Sequence, residues 1–212
     1  MTAPESSAGV SVAAVILAAG ASSRMGRPKL LLPWGDTSVL GHLIHQWTEL
    51  GAGQIAVVVA AGDQTIQREL DRLGFAPEHR IPNPQPERGM FSSIQCAARW
   101  TGWHASPTHW AIILGDQPHL KLETLRALIR FAAAHAGKVC QPAQGGRARH
   151  PVLLPTAAFE GLKASRAENL KQFLQEAPCE RALCAVDDPG LGLDIDRPED
   201  YAEACRQFGD GR

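Results

Sequence analysis

The segment Leu17-Ala18-Ala19-Gly20-Ala21-Ser22-Ser23-Arg24-Met25-Gly26-Arg27-Pro28-Lys29 joins small side chains and two glycines to three cations inside six positions. Small side chains let backbone N–H groups approach an anion. Guanidinium and ammonium groups neutralise it, the first as a planar fork and the second as a point charge. Such a loop suits a chain of phosphates. It is neither a P-loop nor a dinucleotide fingerprint, because Lys29 lies nine residues past Gly20 and no G-x-G-x-x-G occurs. Oxygen ligands stand at two other places: Asp116 directly after the apolar run Trp110 to Leu114, and Asp194 and Asp196 ahead of Pro198. Taken singly, Asp116 also suits a turn before Gln117-Pro118, and Asp196 suits the cap of a following helix.

The hydropathy pattern supplies the elements that must position these groups. Val12 to Leu17 is a continuous apolar run, as expected of a strand covered on both faces of a parallel sheet, and similar runs recur at Ile55 to Ala60, Trp110 to Leu114 and Leu183 to Val186. Helical periods fall between and after them, at Ser38 to Leu50, Thr65 to Leu73, Ser92 to Trp100, Leu122 to His135, Asn169 to Glu176 and Pro198 to Gln207. Alternation of this kind predicts a three-layer, Rossmann-like α/β fold: an open, mostly parallel sheet with helices on both faces. Thr37 or Ser38 is expected to cap the first helix, and Gly51 and Gly53 to end it. Ile81 to Gly89, with three prolines in nine residues, reads as a stiff loop. In such folds ligands sit beyond the carboxyl ends of the strands, where the cationic loop and Asp116 both belong.

Composition narrows the partners. The chain has 212 residues, 44% hydrophobic and 20% charged, consistent with a short tail over residues 1–9 and a single domain over 10–212. Its 21 Lys+Arg against 22 Asp+Glu leave a charge of -1, which argues against nucleic acid or an anionic membrane as the main partner. Five cysteines without a C-x-x-C pair fit neither a disulfide framework nor a zinc knuckle. The first cation, Arg24, follows the early apolar run instead of preceding it, which is the wrong order for a secretory signal. A cytoplasmic protein is expected.

Leu17 to Lys29 resembles the L-A-A-G-x-S-x-R-M-G-x-x-K signature of nucleotidyltransferases with a glycosyltransferase-A-like, nucleotide-diphospho-sugar transferase-like fold, and within them the molybdenum cofactor cytidylyltransferase group. Asn83-Pro84 with Gly89-Met90-Phe91-Ser92-Ser93-Ile94, Gly115-Asp116-Gln117-Pro118, and Asp194 to Asp200 are similar to three further family segments in the same order. The resemblance implies transfer of a nucleoside monophosphate to a phosphorylated acceptor with release of pyrophosphate. The double alanine before Gly20 favours CTP over GTP. A molybdopterin-type acceptor, a molybdoenzyme partner and Mg²⁺ are implied as well.

The resemblance also assigns roles. Arg24, Lys29 and Asp116 are the catalytic candidates. Leu17, Ala18, Ala19, Gly20, Arg24, Lys29, Asn83, Gly89, Met90 and Ser93 would border the nucleotide. Asp116 and Asp196 would hold Mg²⁺, with Asp194 the alternative second carboxylate, and His150 and Pro151 would face the acceptor. Two phosphate-bearing reactants repel, so catalysis of this kind is mostly positioning and charge neutralisation. No histidine base is needed where the attacking phosphate is already ionised.

The acceptor half departs from the family pattern. Arg149 stands where glycine is usual and Ala148 where arginine is usual, and Arg166 to Lys171 lacks the family's aspartate, with Ala167 in its place. A sugar- or polyol-phosphate nucleotidyltransferase and a non-catalytic nucleotide or cofactor carrier are the rival readings. His42 and His45, three apart, suit a wet helix face better than a metal. Trp100, Trp103 and Trp110 read as a core edge, with an aromatic platform for a pterin as the alternative.

Overall fold

The computed structural model describes residues 10–20, 25–104 and 107–209. The expected tail over 1–9, and Arg24, lie outside the described residues. In chain order the elements are β1 (Val12–Ala18), β2 (Pro33–Trp34), β3 (Thr37–Ser38), α1 (Val39–Glu49), β4 (Gln54–Ala60), α2 (Gln64–Arg72), β5 (Arg80–Asn83), α3 (Met90–Arg99), β6 (His109–Leu114), α4 (Leu122–Ala134), β7 (Val139–Gln144), β8 (Arg147–Ala148), β9 (Val152–Pro155), α5 (Thr156–Gly161), α6 (Leu170–Glu176), β10 (Arg181–Ala185) and α7 (Pro198–Phe208).

The main sheet runs β10-β7-β9-β6-β1-β4-β5, with β8 paired to β7. All neighbours on this path are parallel except β9, which runs antiparallel to both β6 and β7. β2 and β3 form a separate ribbon. Side chains alternate across a strand, so a strand covered on both sides feeds two cores. Along β1, Val12, Ala14, Ile16 and Ala18 enter a core shared with α1, α2, α4 and α7. Ala13 and Val15 enter a second core with α3, α5 and α6. The three-layer α/β expectation therefore holds.

Ser38 caps α1 by accepting from the Gly41 N–H at 3.0 Å. Gly51 follows with φ +75°, whereas Gly53 keeps an ordinary backbone. Besides the two-residue strands β2, β3 and β8, three longer strands depart from the sequence expectation, and proline explains two of them. β5 takes in the first three residues of the segment read as a loop, and it is an edge strand, where the N–H missing at Pro82 has no neighbour to serve. β7 carries Pro142 beyond the single residue pair that joins it to β9. β9 was hidden inside the His-Pro segment.

Candidate active site

Leu17 of β1 lies beside Leu114 of β6 in parallel register, so the loop after β1 and the Gly115-Asp116 pair leave the sheet side by side. The chain from Lys29 to Leu31 forms a tight 3-10 turn that packs directly on this corner. A Cβ on Gly115 would stand 2.7 Å from Leu30 Cδ2 and 3.3 Å from the Leu17 carbonyl, so glycine is what lets the turn close there. The Lys29 ammonium is thereby brought 3.1 Å from Asp116 Oδ2 and 3.4 Å from Asp196 Oδ1, and it donates to the Ile195 carbonyl at 3.3 Å.

Asp196 reaches this point because its segment is fastened to the loop after β6. The Ile195 N–H donates to the Asp116 carbonyl at 3.0 Å. The Gln117 amide donates to Asp194 Oδ1 at 2.8 Å, and His119 Nε2 meets the Gly190 carbonyl at 3.0 Å. The fully buried Asp188 carboxylate accepts from Thr124 Oγ1 at 2.7 Å, the Gly190 N–H at 2.9 Å and the Lys121 N–H at 3.2 Å. The two aspartates expected near the metal thus have different surroundings. Asp194 is held by Gln117, and Asp196 faces Lys29. Nor is Asp196 the cap of α7: Asp200 accepts from the Asp196 and Arg197 N–H groups.

A cleft of about 560 Å³ opens at this edge, lined by Leu17, Ala19, Gly20, Lys29, Gly89, Met90, Ser93 and Asp116 among others. That is within the roughly 300–1,000 Å³ range of small-molecule sites. Met90, at the start of α3, is 42% exposed, unusual for a large apolar side chain. Ala18 and Asn83 are placed differently from the sequence expectation, since both are buried below the cleft surface. The Asn83 amide donates to Ser92 Oγ and Ser93 Oγ, both at 2.9 Å, and accepts from the Gln85 N–H. It sets the start of α3 beneath the cleft. Asp63 and Glu87 also line the cleft and were missed. Asp63 could have been found as the cap of α2, where its Oδ1 accepts from the Thr65 and Ile66 N–H groups.

His150 and Pro151 do not line this cleft. They belong to the stretch leading into β9, on the flank of β6 away from β1, and are joined by a cis peptide bond. Burial pushes the His150 imidazole below its ordinary pKa, against an opposing pull from a hydrogen bond to the Ile112 backbone and from Asp116 and Asp194. Ala167 is buried in the second core, and Asn169 caps α6 by accepting from the Gln172 N–H at 2.9 Å. An aspartate at position 167 would place a carboxylate in an apolar site.

The aromatic cluster is not a platform at this site. Trp110 stacks on Phe159 at 4.3 Å and is 5% exposed, at the opposite end of β6 from Asp116. Burial raises the Cys140 thiol to about 11, so it stays protonated and inert.

Among the described residues no three His, Cys, Asp or Glu side chains gather as a ready metal cage. Mg²⁺ does not need one, since it commonly takes one or two carboxylates and completes its shell with water and phosphate oxygens. Asp116 Oδ1 is buried with no hydrogen-bond partner, which leaves its lone pairs open to a cation. The residues fit such an ion.

The chain is 24% identical to the molybdenum cofactor cytidylyltransferase of Escherichia coli K12, over 92% of its length and 95% of the relative's. It is 26% identical to the nicotine blue oxidoreductase of Paenarthrobacter nicotinovorans, covering 89% and 93% of the two chains. A crystal structure of Rv0371c of Mycobacterium tuberculosis in complex with manganese superposes with a TM-score of 0.64 at 26% identity, covering 93% of this chain and 99% of that one. The sheet and helices are those of the nucleotide-diphospho-sugar transferase fold. The model of the MobA-like NTP transferase domain matches residues 14–182, and the chain accordingly belongs to that family as a nucleotidyltransferase.

Proposed function

We propose that the protein transfers CMP from CTP to a phosphorylated acceptor of the molybdopterin type, releasing pyrophosphate in an Mg²⁺-dependent reaction. The observation that supports this best is that Lys29 and Asp116 line the cleft in contact with each other, with Asp196 reaching the same ammonium from behind. Lys29 is placed to neutralise the triphosphate, and the small residues Ala19 and Gly20 let the backbone approach it. Gly89, Met90 and Ser93 border the nucleoside, and Asn83 holds them in place. Asp116 and Asp196 would hold Mg²⁺, which when bound supplies Lewis acidity and a template between the phosphates. Arg24 is assigned to the triphosphate from the sequence signature alone.

CTP and the molybdopterin-type acceptor rest on the Ala18-Ala19-Gly20 pattern and on the activity for which the E. coli relative is named. A molybdoenzyme as recipient of the product follows from the same two supports. One relative of similar cover is named an oxidoreductase, so the test must score the reaction itself. Pyrophosphate release is to be measured with each of four nucleoside triphosphates, Mg²⁺, and molybdopterin cofactor or sugar phosphates as acceptor. CTP with molybdopterin cofactor should give the fastest release. Fastest release with a sugar phosphate would replace the acceptor, and CTP binding without release under any acceptor would favour a carrier.

A further inference from the structure

A second cavity, of about 530 Å³, is lined by the loop that leaves Asp116, and its wall shares no residue with that of the cleft. Pro118 to Leu122, the stretch running into α4, forms one side. Trp34 of β2, His42 of α1 and Phe208 of α7 close the others. These elements are tied to one another. The Tyr201 hydroxyl of α7 donates to the Pro33 carbonyl at 2.5 Å, and the Gln46 amide of α1 donates to the Leu120 carbonyl at 2.8 Å. The volume lies in the same small-molecule range as the cleft, roughly 300–1,000 Å³.

Rings dominate this wall. His119 stacks on Phe208 with centroids 5.2 Å apart, and Trp34 stands 6.3 Å from His119 and 6.1 Å from His42. Burial, the largest influence on each imidazole, pushes both below their ordinary pKa, so the two rings are neutral near pH 7. His119 Nε2 faces the Gly190 carbonyl and therefore carries the proton, which leaves Nδ1 as an acceptor, buried and without a partner. No carboxylate lines the cavity among the described residues. Its cations are Arg206, already paired with Glu203, and Lys121, which enters no ion pair among the described residues.

We propose that this cavity is a second ligand site, which takes a flat heteroaromatic anion with its ring against Trp34, His42 and His119 and its negative group at Lys121. Aromatic walls favour a flat ring through stacked and edge-on contacts, and the ammonium of Lys121 supplies a charge-assisted hydrogen bond to the anion. A ring N–H suits His119 Nδ1, which has only a lone pair to offer. The site is separate from nucleotide transfer and stands whether or not that reading does. Asp116, Pro118 and His119 leave β6 on one loop, so an occupant here bears on the stretch of chain that carries Asp116.

The test uses indole-3-carboxylate as probe, titrated calorimetrically into the full-length protein, with uncharged indole as its comparison. Wild type should bind one equivalent of the carboxylate, and the ring-nitrogen NMR signals of His42 and His119 should shift as it binds. Lys121→Gln, a change at an exposed side chain, should weaken the carboxylate roughly tenfold and leave indole unaffected, as expected for one lost charge-assisted contact. Lys121→Arg should recover most of that loss. Lys29→Met, which alters only the cleft, should match wild type. No binding by wild type, equal carboxylate affinity in wild type and Lys121→Gln, or binding that Lys29→Met removes would each overturn the second site. None of these results touches the nucleotidyltransferase reading, which pyrophosphate release tests separately.

Discussion

Lys29 lies within reach of two carboxylates that a divalent cation would also claim, and this sets up opposed responses to one substitution. Lys29→Met removes the competing ammonium from Asp116 and Asp196. Without nucleotide the variant should bind Mn²⁺ more tightly than wild type, by roughly tenfold, while its CTP affinity falls by about the same factor. Both are measurable by paramagnetic resonance and calorimetry, and movement of the two affinities in one direction would argue against the shared corner. Asp116→Asn should lower pyrophosphate release at least about a hundredfold, with little change in Tm because the side chain stands at the cleft and outside both cores. At this scale the sequence was informative where chemistry needs a residue type at a fixed place after a strand, as with Lys29 and Asp116. It could not separate Asp194 from Asp196, because that choice depends on which carboxylate Gln117 engages 77 positions away.

At the scale of elements, the site depends on a loop after β1, a glycine at the end of β6, and the 188–196 segment fastened beneath them. Gly115→Ala is the sharpest probe of this packing. Its methyl group would push Leu30, the residue next to Lys29, so pyrophosphate release should drop well beyond any change in overall secondary structure. Circular dichroism and the turnover assay check the two halves of that statement; unchanged turnover would mean the turn has slack. Apolar runs covered on both faces, such as β1 and β4, were readable from the hydropathy pattern alone. β5 and β7 were not, because each carries a proline that strand patterning counts as a breaker, and only sheet order shows that Pro82 sits at an edge. β9 was concealed for a related reason: four residues entering antiparallel between two parallel strands have no local signature.

For the whole molecule, one sheet divides two cores, and several histidines are buried with it. Burial lowers the pKa of His42, His109 and His119. The unfolded chain, with these groups nearer about 6.5, then binds more protons than the folded one in the mildly acidic range. Stability should be fully present above about pH 6.5 and should decline as pH falls below it, which a series of thermal melts from pH 8 to pH 5 will show. A Tm that rose on acidification would mean these imidazoles are charged in the fold.

The most direct test of the central claim is the melting temperature with CTP, with and without Mg²⁺, in wild type, Lys29→Met and Asp116→Asn. Ligand at about a hundred times its Kd adds about 2.7 kcal/mol, worth roughly 5–10 °C for a chain of this size. Wild type should show that rise only when both CTP and Mg²⁺ are present; Lys29→Met, with CTP bound about tenfold more weakly, should lose about half of it, and Asp116→Asn most of it. An equal rise in all three proteins, or none in wild type with any triphosphate, would contradict the account.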